Sequence, residues 1–131
     1  MATSRTTAVI ITHHPLLDTL GEVITRLVHQ VDLIVIVDNG SDDDLAVWNA
    51  DRLDTADKVI ALGENRGVAA AQNEGIAWAK RQDSDRVLLM DQDSIPAPDM
   101  LDKLYVALAT HRDVAAVGPF YSGDRENHAS P

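Results

Sequence analysis

Cysteine is absent from the 131 residues, which rules out a disulfide framework, a thiolate metal site and a cysteine nucleophile. Basic side chains are scarce: 11 Lys and Arg stand against 21 Asp and Glu, a formal net charge of −10. Nucleic-acid binders draw their affinity from Lys and Arg, so no nucleic-acid partner is expected. An acidic ligand would need a divalent cation as a bridge. Long apolar runs are missing as well. Residues 33–37 form one of the longest, far short of the ~20 residues of a membrane span. The opening Met-Ala-Thr-Ser-Arg has no apolar leader core. Neither Gly-x-Gly-x-x-Gly nor Gly-x-x-x-x-Gly-Lys-Ser/Thr occurs, against a dinucleotide-binding dehydrogenase and a P-loop enzyme. The expectation from these absences is a cytoplasmic protein of one domain, long enough to bury roughly two-thirds of its unfolded surface.

What is present is an alternation of short β-branched runs and helical spacings. Residues 7–12 (Thr-Ala-Val-Ile-Ile-Thr) and 31–37 (Val-Asp-Leu-Ile-Val-Ile-Val) read as strands buried on both faces. Between them Pro15 suits the first position of a helix, with Leu16, Leu20, Val23, Ile24 and Leu27 at helical spacing. Ser41, followed by Asp42, Asp43 and Asp44, predicts an N-cap with acids in the first turn. Residues 58–62 form a weaker strand, 68–81 an alanine-rich helix, 86–90 a fourth strand and 114–117 a short last one. Pro98 opens a further amphipathic helix, and the chain from 119 reads as a poorly ordered tail behind a single domain over 1–118. The pattern implies an α/β fold with three α/β/α layers and a mostly parallel sheet.

Ligands of such sheets bind outside the carboxyl ends of the strands. Those ends carry Thr12-His13-His14, Asp38-Asn39, the Asn65-Arg66-Gly67 loop and Asp91-Gln92-Asp93. Each is an ordinary turn former taken alone; four on one rim point to a site. Asp91 and Asp93 weigh most, since two carboxylates one residue apart repel unless a cation lies near them. A hard ion, Mg2+ or Mn2+, prefers such oxygens and keeps positions for phosphate. The helix after Gly67 presents free N–H groups to an anion, and Arg66 either pairs with phosphate or base or is a surface arginine. The adjacent His13 and His14 lack a partner at metal-ligand spacing, and Trp48 and Trp78 read as packing residues.

In order and spacing, Val9–Thr12, Ile36–Ser41, Asn65–Asn73 and Leu89–Asp93 resemble the donor-binding half of a family 2 glycosyltransferase of the GT-A fold. Asp-Asn-Gly-Ser with Asp-Gln-Asp-Ser is most similar to the bacterial rhamnosyltransferase branch. The resemblance covers about residues 7–120. It implies a Rossmann-like nucleotide-binding half and inverting, metal-assisted transfer of a hexosyl or rhamnosyl group from a nucleotide-diphosphate sugar. Thr12 and Asp38 would line the nucleoside pocket, with Asp38 reading the base; Asn65 and Arg66 would hold the base or shape its pocket, Asp91 would meet the ribose and Asp93 the metal, Mn2+ or Mg2+. The donor would be dTDP-rhamnose or a UDP-sugar, the acceptor a saccharide or a lipid-linked glycan, and the inner face of the membrane an alternative place of work. The family's catalytic base lies well downstream, so no catalytic residue is assigned. A truncated chain is expected, binding a nucleotide without efficient transfer and self-associating through an uncovered sheet edge.

Three rivals share the strand-end acids. A haloacid dehalogenase-like phosphatase would use Asp91 as nucleophile, but its motif normally opens the fold on the first strand. A receiver-type signalling domain needs an acidic pair after strand one, where Thr12-His13-His14 stands, and a late lysine, where none follows Lys103. A nucleotidyltransferase needs an early glycine- and lysine-bearing loop that is not there.

Overall fold

The structure, a computed structural model, describes residues 4–111 and 118. Its elements run β1 (Thr6–Thr12), α1 (Leu17–Leu27), β2 (Leu33–Asp38), α2 (Leu45–Trp48), β3 (Lys58–Ala61), α3 (Val68–Arg81), β4 (Arg86–Asp91) and α4 (Met100–Thr110). All of the strand pairings are parallel, in the order β3-β2-β1-β4. The chain divides into two compact units, Met1–Pro98 and Asp99–Pro131. The sheet and its first three helices belong to the former.

Side chains of successive strand residues point to opposite faces, and both faces of β1 and β2 are covered. Ala8, Ile10, Ile34 and Ile36 meet Leu20, Val23, Ile24 and Leu27 of α1 and Leu45 of α2. Val9, Val35 and Val37 meet Ala71 and Trp78 of α3. Three layers, α/β/α, follow directly from that alternation. The small residues of α3 serve close approach: a Cβ on Gly75 would stand 2.4 Å from Val9 Cγ1 and 3.2 Å from Val37 Cγ2.

At the amino ends of the strands, acids do structural work. Asp32 accepts the N–H of Thr6 at 2.8 Å, Asp85 that of Arg5 at 2.8 Å, and Asp57 those of Ile34 at 2.7 Å and Asp54 at 3.0 Å. Each of Asp32, Asp57 and Asp85 lies just ahead of one strand and caps the main chain at the start of its neighbour. Part of the acidic excess is thereby accounted for by backbone donors that need acceptors.

Helix starts differ from the sequence expectation. Leu16 is extended, 77% exposed and acts as N-cap, so α1 starts after it rather than at Pro15. Ser41 caps no helix. Its hydroxyl and N–H go to the Asp38 carboxylate, and Asp44 instead accepts from Val47 N at 3.2 Å to cap the short α2. In the unit beginning at Asp99, α4 opens at Met100, with Asp99 at the N-cap. Asp99 makes no cap hydrogen bond; it pairs with Lys103 at 3.1 Å, which holds its carboxyl below the ordinary range. The strand expected over 114–117 and the tail over 119–131 lie outside the described residues.

The close approach of α3 yields a paired test. Gly75→Ala gains helix propensity of about 1 kcal/mol, but its methyl meets a stiff, buried valine, an overpacking that costs about 1–3 kcal/mol. Gly21 of α1 has only ordinary contacts for a Cβ, the nearest being Trp48 at 3.6 Å. Thermal unfolding should therefore show Gly75→Ala melting below the parent protein and Gly21→Ala melting at or above it. The reverse order would remove close packing as the reason for Gly75.

Candidate functional site

The strand order places the site. The chain builds outward from β1 through β2 to β3, then returns to add β4 on the other side of β1. The reversal falls between β1 and β4, where an open parallel sheet leaves a crevice at its carboxyl end. A cleft of about 440 Å3 lies at that end, between the loops after β1, β2, β3 and β4. His13, Asn39, Asn65, Gln72, Asp91 and Asp93 contribute its polar groups, and Ile11 and Val68 apolar ones.

Asp38 closes the loop after β2. Its side chain is 6% exposed and accepts hydrogen bonds from the Thr12 hydroxyl at 2.8 Å, the Ser41 hydroxyl, and the Ser41 N–H at 3.0 Å. A buried carboxylate needs such donors, and three of them hold this one in place. Gly40 follows with a φ of +86°, and a Cβ there would stand 2.8 Å from the Glu64 carbonyl carbon. The loop after β2 thus lies directly against the loop after β3, at a contact that only glycine allows.

Asn39, 2% exposed, sits at the centre. Its Nδ2 donates to Asn65 Oδ1 at 3.1 Å, and its Oδ1 accepts the Arg66 N–H at 2.8 Å. Its carbonyl lies 2.9 Å from His13 Nδ1, which as partner of a carbonyl is the donor. Asn65 Oδ1 also accepts the Gly67 N–H at 2.9 Å, shaping the turn into α3. The Asn39 side chain therefore ties the exit of β2 to that of β3, and its main-chain carbonyl ties both to the exit of β1.

The residues singled out in the sequence divide into two groups. Asn65, Asp91 and Asp93 line the cleft. Thr12 and Asp38 are buried beneath its rim, bound to each other. The Arg66 guanidinium faces elsewhere, donating to the Leu62 carbonyl at 3.2 Å and standing 3.6 Å from the Glu64 carboxylate. Only its main-chain N–H enters the network around Asn39. Sequence reasoning gave no role to Asn39, Gln92 and Gln72. Gln72 had a readable signal: it lies four residues after Val68 in α3, and therefore on the same helix face. His13 also reaches the cleft, while His14, with a φ of +46°, turns toward Asp42.

Asp91 and Asp93 are exposed at the cleft, and among the described residues neither carboxylate has a hydrogen-bond or ion-pair partner. No group of three or more His, Cys, Asp or Glu that could hold a metal ion occurs among the described residues. The donor set is thus two hard carboxylates beside open space. It fits a hard divalent cation whose remaining positions are filled by ligand oxygens and water. It does not suit zinc, which favours a closed set of nitrogen and sulfur donors in structural sites. Among the described residues no helix is long and apolar enough to cross a membrane.

The strand order also separates the rival folds. A receiver domain of the flavodoxin type places its first strand between the second and third, whereas here β1 lies between β2 and β4. A family model for glycosyl transferase family 2 matches residues 7–131. The chain is 32% identical over 126 residues to the dTDP-rhamnosyl transferase RfbF of Shigella flexneri. The aligned stretch covers 95% of this chain and 41% of that relative, so the chain spans less than half of the relative's length. The parallel sheet, the rim of strand-end polar groups and these matches agree, and the chain belongs to glycosyl transferase family 2.

Proposed function

We propose that this chain forms the donor-binding part of an inverting, metal-assisted glycosyltransferase. It takes a nucleotide-diphosphate sugar, with dTDP-rhamnose favoured over a UDP-sugar, for transfer to a saccharide or lipid-linked acceptor. The preference for dTDP rests on the name of the Shigella relative. The observation that carries the reading is the pair of carboxylates, Asp91 and Asp93, without partners among the described residues, at a cleft where the sheet reverses.

The protein groups divide the work. Asn65 and His13 lie beside the cleft at the exits of β3 and β1 and bound the nucleoside end. Thr12 and Asp38 act from beneath, by fixing the loop that presents Asn39. Arg66 shapes the base site through its main-chain N–H. Asp91 meets the ribose side and Asp93 holds Mn2+ or Mg2+. Such a cation, when bound, supplies positive charge against the diphosphate that departs from the sugar. This chain carries a net charge of −10, so an anionic donor approaches against repulsion unless the carboxylates are neutralised first. Work at the inner face of the membrane, and self-association through an edge strand such as β3, belong to the same proposal.

Thermal unfolding with dTDP, UDP and GDP, each with and without Mn2+, tests the reading. Ligand at about 100 times its dissociation constant adds about 2.7 kcal/mol, a rise of several degrees in Tm. One nucleotide, dTDP, should give a Mn2+-dependent rise that Asp93→Ala abolishes. A rise with no need for metal, or no rise with any nucleotide, would contradict the proposal. Arg66→Ala keeps the main-chain N–H and should retain most of the dTDP effect. A loss as complete as that of Asp93→Ala would place the guanidinium on the ligand.

A further inference from the structure

Gln92 stands in sequence between the carboxylates of Asp91 and Asp93 and lines the cleft, yet its amide is already engaged. Its Oε1 accepts the His13 N–H at 2.8 Å, and its Nε2 donates to the His13 carbonyl at 3.3 Å. A primary amide offers the same donor and acceptor as a peptide group. The parallel ladder between β1 and β4 has its last register pair at Ile11 and Asp91. Beyond that pair, the Gln92 side chain continues the pairing in place of the main chain. The loop that bears Asp91 and Asp93 is thus fastened to the exit of β1, and through His13 Nδ1 to the Asn39 carbonyl.

The fastening acts against a definite force. Two carboxylates flanking one residue repel each other, and an unrestrained loop relieves the repulsion by turning them apart. A cation that binds such a loop must first draw the carboxylates together, and that ordering weakens its affinity. We propose that Gln92 is a positioning residue: its amide, locked on the main chain of His13, holds Asp93, with Asp91 beside it, ready for a divalent cation before cation and diphosphate arrive. The inference rests on the proposed role of that carboxylate pair. It gives Gln92 a role through His13 and the loop, since both polar ends of its amide are turned to the His13 main chain.

Mn2+ binding without nucleotide, followed by the electron paramagnetic resonance signal of free Mn2+, separates this role from its competitors. Gln92→Met matches the side chain in length and removes both hydrogen bonds. Mn2+ affinity should fall by about tenfold, the loss expected when a loop fixed by two hydrogen bonds is freed. Amide hydrogen exchange reads the clamp itself. In Gln92→Met the His13 amide should exchange faster, while the amides of Val9 and Ile10 keep their protection. Gln92→Asn, one methylene shorter, should behave like Gln92→Met. Equal Mn2+ affinity in parent and variant overturns the inference, as does a His13 amide indifferent to the substitution. A parent protein that takes up no Mn2+ overturns the reading of the carboxylate pair as well, so the two failures are distinguishable.

Discussion

A single buried amide, that of Asn39, is what the site depends on. It has almost no exposure, and in that position each of its polar atoms must find a partner within the protein. Those partners are the side chain of Asn65 and the main-chain N–H of Arg66, while the main-chain carbonyl of the same residue takes the ring of His13. Three strand exits are therefore held in one arrangement by the cost of leaving a buried polar group unsatisfied. The Asp38 carboxylate beneath is held in the same way by Thr12 and Ser41. Polar residues at the rim of a parallel sheet are usually read as candidates for ligand contact. Here Thr12, Asp38 and Ser41 are bonded to one another beneath the rim.

The distribution of acids follows the same logic. Asp32, Asp57 and Asp85 accept main-chain N–H groups at the amino ends of the strands, and Asp44 caps α2. Their charge serves the fold. Asp91 and Asp93 differ in having no such partner among the described residues, and they alone of these acids open onto the cleft. The distinction rests on what each carboxylate already touches, and net charge could not have drawn it.

Much of the architecture was legible in the chain. The β-branched runs over 7–12 and 31–37 marked both central strands, observed at Thr6–Thr12 and Leu33–Asp38, because burial on two faces leaves a continuous apolar stretch. The alanine-rich segment from Val68 to Arg81 matched its helix at both ends. Helix starts were read less well. Ser41 has the side chain of an N-cap, but its hydroxyl donates to the Asp38 carboxylate three residues earlier and accepts the His14 N–H at 2.8 Å. Leu16 fits the helical spacing yet precedes the helix and stays exposed. The roles of Asn39 and Gln92 were invisible for a different reason. Both depend on which way an amide turns and on a main-chain group far along the sequence, and spacing records neither. Arg66 shows the converse, a charged side chain in a matching motif whose guanidinium lies on Leu62 and Glu64 while its main-chain N–H joins Asn39.

The central claim is that the cleft between β1 and β4 is where cation and nucleotide meet this chain. Paramagnetic broadening of the amide NMR spectrum by Mn2+ in the presence of dTDP tests it most directly. Signals of residues 91–93, His13 and residues 65–68 should broaden first, with the amino-end acids Asp32, Asp57 and Asp85 unaffected. Broadening centred on residues 42–44 or on the amino ends of the strands, with the cleft residues untouched, would contradict it.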